Sequence, residues 1–242
     1  MKIGVFDSGK GGLSVLQEIK LVLPNEDIFY YGDSLNNPYG EKSEQELFKI
    51  TSSIVERLKK EGCSVIVIAC NTATTRCIKY LREEYPDTIF IGTVPAIKVA
   101  CDHDFKNTVV MATPATIESE RINELVRDNK RAYQNIYLVS CHGLAHAIEI
   151  GDKKEIKRIL EEVFKDYKNK DIDSIVLGCT HYPFIKKEIL EEMPNVTLID
   201  GANGVAREVK RQMELHNLLS HSNSLGKVVI YNSLDNTTYE EI

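Results

Sequence analysis

A chain of 242 residues, 43% of them hydrophobic, is long enough to bury one large core or two modest ones. Its net charge of -6 and its lack of any Lys/Arg-rich run argue against nucleic acid or an anionic membrane surface as the main partner. No apolar run approaches membrane-spanning length, no signal peptide precedes the first strand, and the six cysteines form no C-x-x-C or His/Cys ligand cluster, so a cytoplasmic protein with free thiols and no metal site is expected.

Taken in order, the chain alternates strand and helix. Residues 2–6, KIGVF, predict a buried strand, and Asp7-Ser8-Gly9-Lys10-Gly11-Gly12 a glycine-rich turn into a helix over 13–23. Backbone N–H groups in such a turn can approach a carboxylate or phosphate, although it fits neither the dinucleotide fingerprint nor the phosphate loop. A strand at 27–31 leads into the turn-rich loop 32–42, GDSLNNPYGEK, whose Asn, Pro and Gly residues suit a binding loop, and then a helix over 43–60. A strand at 65–69 runs into Cys70, followed by a helix over 72–84 and a strand at 89–92. Residues 93–95 predict a crossover into a second domain.

The second half repeats the plan. We expect a strand at 108–111, a polar turn at 112–116, a helix over 117–128 and a strand at 136–140 that leads into Cys141 and His142. Glu149 lies at the end of a helical turn, and 153–168 forms a charged amphipathic helix with a solvated outer face. The Cys179 strand, a helix over 183–193, a strand at 196–199, a helix over 201–217 and a strand at 227–232 complete the chain. The fold class is α/β: two similar open-sheet domains facing each other across a central cleft, the first spanning 1–94 and completed by 204–242, the second 95–203.

Two stretches carry the chemistry. Residues 62–75, GCSVIVIACNTATT, and 174–181, SIVLGCTH, share one design: an apolar strand, a small residue, a cysteine, then small polar groups. Apolar β-branched residues on both faces mark strands covered by helices on either side. In open α/β sheets ligands bind beyond the carboxyl ends of the strands, which is where Cys70 and Cys179 fall. A lone cysteine in such a strand is most simply a core filler. The paired contexts argue otherwise, whereas Cys63, Cys77, Cys101 and Cys141 lack them and are read as structural.

The motifs GVFDSGKGG, YGDSLNNPYGEKS, ACNTAT, TVPAIK, ATPATIES and GCTHYP, in this order and approximate spacing, resemble the glutamate racemase family over nearly the whole chain. The resemblance implies a cofactor-independent isomerase that interconverts L- and D-glutamate for cell-wall peptidoglycan, with two catalytic cysteines and commonly a homodimer. It further implies that Cys70 and Cys179 are the acid/base pair, Cys70 acting as base toward the D-enantiomer and Cys179 toward the L-enantiomer. Asp7-Ser8, Tyr39-Gly40, Asn71-Thr72 and Thr180-His181 match the family's substrate-contacting dipeptides. Asp7 and His181 would assist proton transfer at the neighbouring cysteines; Thr116 and Thr113 resemble the threonine-rich carboxylate site, and Glu149 a carboxylate near the second thiol.

The chemistry asks for the same residue types. Racemisation removes a weakly acidic α-proton and returns one to the opposite face, so two acid/base groups must flank the α-carbon. A free thiol titrates at about pH 8.5, close enough to neutrality for one cysteine to serve as thiolate and the other as thiol. Neutral donors such as Ser8, Asn71, Thr72, Thr116 and Thr180 suit the substrate carboxylates. A racemase of aspartate or another small amino acid would use nearly the same set, and a non-catalytic amino-acid binding module would need the donors but not two thiols. Two departures from the family stand out. CHGLAHAIE brings His142 and His146 near a wall of the expected cleft, and the sequence reaches Ile242 soon after its last strand, so the closing helix many relatives carry is expected to be short or missing.

Overall fold

The computed structural model describes residues 2–241. The chain forms two compact units, one running to Thr93 and resuming at Ala202, the other from Val94 to Gly201. These divisions precede the expected ones at 94/95 and 203/204.

In the first unit β1 (Lys2–Asp7), α1 (Leu13–Val22), β2 (Asp27–Gly32), α2 (Glu44–Lys60), β3 (Cys63–Ile68), α3 (Asn71–Glu84) and β4 (Ile89–Gly92) follow one another. The second unit contains α4 (Ile97–Asp102), β5 (Asn107–Ala112), α5 (Pro114–Ile117), α6 (Glu120–Asn129), β6 (Asn135–Ser140), α7 (Leu144–Ile150), α8 (Lys153–Phe164), β7 (Ser174–Leu177), α9 (Lys186–Glu192) and β8 (Thr197–Ile199). The chain then returns to the first unit with α10 (Ala202–Leu215), β9 (Val228–Asn232) and β10 (Thr237–Glu241). The first sheet has the order β10-β9-β2-β1-β3-β4 and the second β6-β5-β7-β8. All pairs are parallel except β9 with β10.

The apolar runs form central strands because both of their faces are covered. Along β3, Val65 and Val67, with Ala69 just beyond, pack with α1 and α10, while Ile66 and Ile68, with Cys70 just beyond, pack with α2 and α3. The four strand residues are fully buried, and each such side chain contributes about 1.5–3 kcal/mol. β7 repeats the alternation: Ile175 and Leu177 face one cluster with Cys179, and Val176 faces the other. Local signals set the helix starts. Ser43 caps α2 in a reciprocal box with Glu46.

Several elements differ from expectation. The helix expected over 117–128 is two, because the Ser119 hydroxyl accepts from Ile122 N and starts α6 afresh. That expected over 183–193 begins as a 3₁₀ turn, Tyr182–Ile185, before α9, and that over 153–168 stops at Phe164. α4 and β10 lie where no element was expected; the turn before β10 is closed by Asp235, which accepts from Thr237 N and Oγ1. The expectation about a closing helix concerns the chain's end at Ile242, outside the described residues. Among the described residues no helix is long and apolar enough to cross a membrane.

Candidate active site

Both sheets contain the strand order second-first-third-fourth, so the direction of winding reverses between β1 and β3 and again between β5 and β7. The carboxyl ends at such a reversal are where open α/β sheets bind ligands. Asp7 ends β1 and Cys70 follows β3; Thr113 follows β5 and Cys179 follows β7. The topology thus brings the expected residues into two groups, one per unit.

In the first unit Asp7 is fully buried, and its Oδ1 accepts from Gly9 N at 3.1 Å. The Tyr30 hydroxyl donates to Gly9 O at 2.6 Å, fixing the turn from below. Gly12 is obligatory there: a Cβ would lie 2.5 Å from Asp7 Cβ and 2.8 Å from the Tyr30 oxygen, so only glycine lets α1 start against Asp7. Cys70 occupies the N-cap of the fourteen-residue α3, at the positive end of its dipole, where negative charge is favoured. Asn71 and Thr72 open that helix, and both are buried. The Asn71 side-chain oxygen has no protein partner, which leaves a buried acceptor suited to an ammonium. Ser8 is buried beside Asp7.

Tyr39 is buried in one cluster with Cys70. Its hydroxyl donates to Asp33 Oδ2 at 2.7 Å, so the phenol's proton is already committed and the hydroxyl can meet a ligand only as an acceptor. Burial first, then the Asp33 carboxylate, then Cys70 and Asp7, push its pKa far above the ordinary phenol range. A Cβ added to Gly40 would meet no atom within 4 Å, so packing does not demand glycine there.

In the second unit Thr113 caps α5, and its Oγ1 lies 3.0 Å from Oγ1 of the buried Thr116. Gly178 is required by close approach, since a Cβ would come within 2.7 Å of Met111 O on β5. Cys179, Thr180 and His181 follow, all buried. His181 Nδ1 is 3.8 Å from Cys179 Sγ, and its Nε2 is 2.7 Å from Oε2 of Glu149 on α7. A carboxylate only accepts, so this contact assigns the proton to Nε2 and leaves Nδ1 as an acceptor facing the thiol. The result is a thiol–imidazole–carboxylate chain.

The remaining cysteines have no such wiring. Burial pushes the thiols of Cys63 and Cys141 up to about 12 and that of Cys77 to about 11, and raises Cys101 as well. His142 and His146 are exposed, and Glu149 is the residue of that segment that joins the chain to Cys179. Sequence reasoning missed Asp33, a buried carboxylate at the end of β2 that holds Tyr39; an acid directly after an apolar strand was the available signal. It also missed Tyr182, fully buried in one cluster with Cys141 and Cys179, its hydroxyl without a hydrogen-bond partner among the described residues. Among the described residues no three His, Cys, Asp or Glu side chains are grouped to hold a metal ion.

Comparison with known proteins bears on this geometry. Residues 10–209 match the family model described as Asp/Glu/Hydantoin racemase. The glutamate racemase of Clostridium perfringens is 43% identical over 244 residues, covering 99% of this chain and 94% of that protein. Two solved structures superpose along most of the chain. Escherichia coli glutamate racemase, in complex with L-glutamate and the activator UDP-MurNAc-ala, has a TM-score of 0.82 at 28% identity, covering 96% of this chain and 88% of that one. Glutamate racemase from Francisella tularensis, in complex with D-glutamate, has a TM-score of 0.81 at 29% identity with the same coverage. A family-model match over most of the chain and a relative at 43% identity along nearly all of it establish that this protein belongs to the Asp/Glu/hydantoin racemase family.

Proposed function

We propose that the protein interconverts L- and D-glutamate by proton transfer between the substrate's α-carbon and two thiols, Cys70 and Cys179, without a cofactor. The observation that carries this reading is the chain from Cys179 Sγ through His181 to Glu149, with contacts of 3.8 and 2.7 Å. A structural cysteine has no use for an oriented imidazole, and Cys63, Cys77 and Cys141 have none. The relatives support the substrate, since one is bound to L-glutamate and another to D-glutamate.

With L-glutamate, Cys179 as thiolate takes the α-proton: the Cα–H bond breaks and an S–H bond forms. Cys70 as thiol returns its own proton to the other face, and the two cysteines end with exchanged protonation states that solvent resets. D-glutamate runs the steps in reverse. His181 Nδ1 holds the proton that leaves the Cys179 thiol, and Glu149 stabilises the resulting imidazolium. Asp7 plays the corresponding part for Cys70. The hydroxyl, amide and backbone donors of Ser8, Asn71, Thr72, Thr113, Thr116 and Thr180 bind the substrate's two carboxylates, and charge developing at the α-carbon spreads into the adjacent one, which is then held more strongly than in the ground state. The Asn71 side-chain oxygen accepts from the substrate ammonium, and the Tyr39-Gly40 turn contacts the substrate. In this reading the enzyme works in the cytoplasm as a homodimer and supplies D-glutamate for peptidoglycan.

The test is circular dichroism of L-glutamate, L-aspartate and buffer alone with purified protein, in the presence of a chelator and with no pyridoxal phosphate or nicotinamide added. The L-glutamate signal is expected to decay to zero. Decay of the aspartate signal alone would move the substrate to aspartate, and stable signals from both would overturn the reading.

A further inference from the structure

The loop bearing Tyr39 is anchored by a residue nearly two hundred positions away. Ser233, just after β9, is buried and donates from Oγ to Asp33 Oδ1 at 2.8 Å. It also accepts at Oγ from Leu35 N at 3.0 Å, while its own N–H donates to Gly32 O at 3.0 Å. Asp33 is 1% exposed and has no Lys or Arg partner among the described residues. Instead, three neutral donors fill its lone pairs: the Ser233 hydroxyl, the Asn36 amide at 3.0 and 2.9 Å, and the Tyr39 hydroxyl at 2.7 Å. The same loop is tied to the β1 turn, because Asp33 N donates to Asp7 O at 2.9 Å and Asn37 Nδ2 to Ser8 O at 3.0 Å.

A buried carboxylate is costly unless every lone pair is satisfied, and a well-packed apolar cluster would serve stability as well or better. What the polar cluster adds is direction. Each donor fixes one segment against the same two oxygens, and the Tyr39 ring, held at its far end, packs in one cluster with the thiol of Cys70. We propose that Ser233 is a positioning residue for the Cys70 site: through the Asp33 carboxylate it locks the Tyr39 ring against Cys70 and keeps the Tyr39-Gly40 turn in place. The proposal rests on Cys70 being a reacting thiol, but its test needs no substrate, so the two readings fail separately.

The experiment compares wild type, Ser233→Ala and Ser233→Thr by the rate at which iodoacetamide labels Cys70 and Cys179 at neutral pH, read by peptide mass spectrometry. Losing one charge-assisted hydrogen bond to Asp33 frees the Tyr39 ring, so Cys70 in Ser233→Ala is expected to label roughly five to ten times faster. Ser233→Thr keeps the hydroxyl and should label at the wild-type rate. Cys179, in the other unit, should be unchanged in all three proteins. A purely structural serine would leave the ratio of the two labelling rates unaltered, whether both rates held or both rose together, and that outcome overturns the proposal. If Ser233→Ala does not fold, Asn36→Ala removes another donor from the same carboxylate and is held to the same ratio. In steady-state kinetics with glutamate, Ser233→Ala should raise KM several-fold with kcat nearly unchanged, because the looser turn weakens binding in ground and transition state alike.

Discussion

Replacing Glu149 by Gln tests the thiol–imidazole–carboxylate chain with almost no change of volume. The carboxylate lies 2.7 Å from His181 Nε2, with the two side chains only 9% and 2% exposed, so solvent cannot take its place. A hydrogen bond to a charged group in such a site is worth about 1.5–3 kcal/mol. The bond reaches full strength only when His181 is the doubly protonated imidazolium, so that energy appears in the barrier, and each 1.36 kcal/mol is about tenfold in rate. Glu149→Gln should therefore lower kcat/KM by roughly 10- to 100-fold. The glutamine amide can also donate to Nε2, turning the Nδ1 proton toward Cys179, which works in the same direction. The loss should fall on the step at Cys179. With α-deuterated L-glutamate the isotope effect on kcat/KM should rise, because deprotonation by Cys179 has become slower; with α-deuterated D-glutamate it should fall, because deprotonation by Cys70 is no longer limiting. Rates can be followed by circular dichroism in either direction. A variant that kept more than half of wild-type kcat/KM, or whose two isotope effects moved together, would refute the assignment of Glu149 and His181 to the Cys179 step.

Cys70→Ser and Cys179→Ser should each lower racemisation by at least about a thousandfold while leaving far-ultraviolet circular dichroism unchanged, since a hydroxyl is far too weak an acid to replace a thiol at neutral pH; near-normal activity in either would remove that cysteine from the mechanism. Stability should fall on the alkaline side: Cys63, held at about 12, and Cys77, held at about 11, keep their protons after the unfolded thiols, whose ordinary value is 9.0, have lost theirs. Their contribution is thus complete below pH 9 and lost as pH rises from there through 11 to 12, so urea midpoints should drop between pH 8.5 and 10.5, and less steeply in Cys63→Ala. In D₂O, stopped early, D-glutamate newly made from L-glutamate should carry deuterium at the α-carbon while recovered L-glutamate stays mostly protonated; substrate-derived hydrogen in the early product, measured by mass spectrometry, would point to a single base.

Much of the candidate site was legible because its residues lie close to where the local pattern places them. An apolar run that stops at a cysteine needs only the rule that ligands gather at strand ends, and Cys70 and Cys179 both follow it. The contact between Glu149 and His181 was harder. It spans 32 residues and depends on how α7 lies against the end of β7, which no local pattern encodes. The bond between Asp33 and Ser233 was hidden for the same reason in stronger form, because it spans 200 residues and joins a loop to the segment just after a strand that returns from the other end of the chain. The broken helix over 117–128 was misjudged through capping. Ser119 was read as one polar residue in a continuous helix, whereas its hydroxyl caps a new start.

The two units repeat a strand order but not their wiring, and thermodynamics limits what that difference can do. Cys179 is backed by an imidazole and a carboxylate, while the Cys70 group contains a buried Asp7 and a tyrosine already bonded to Asp33. Enantiomers have equal free energy in water, so the equilibrium constant of a racemase is one, and kcat/KM must be the same in both directions however differently the two thiols are equipped. Unequal wiring can change kcat and KM separately, by favouring one resting protonation state of the cysteine pair over the other. Under the proposed mechanism, an imidazole placed to take the Cys179 proton would favour the form with a thiolate at Cys179 and a thiol at Cys70, the form that would accept L-glutamate. If the proposed mechanism holds, the asymmetry of the two strand ends sets which enantiomer the resting enzyme is ready to receive, without any power over where the reaction comes to rest.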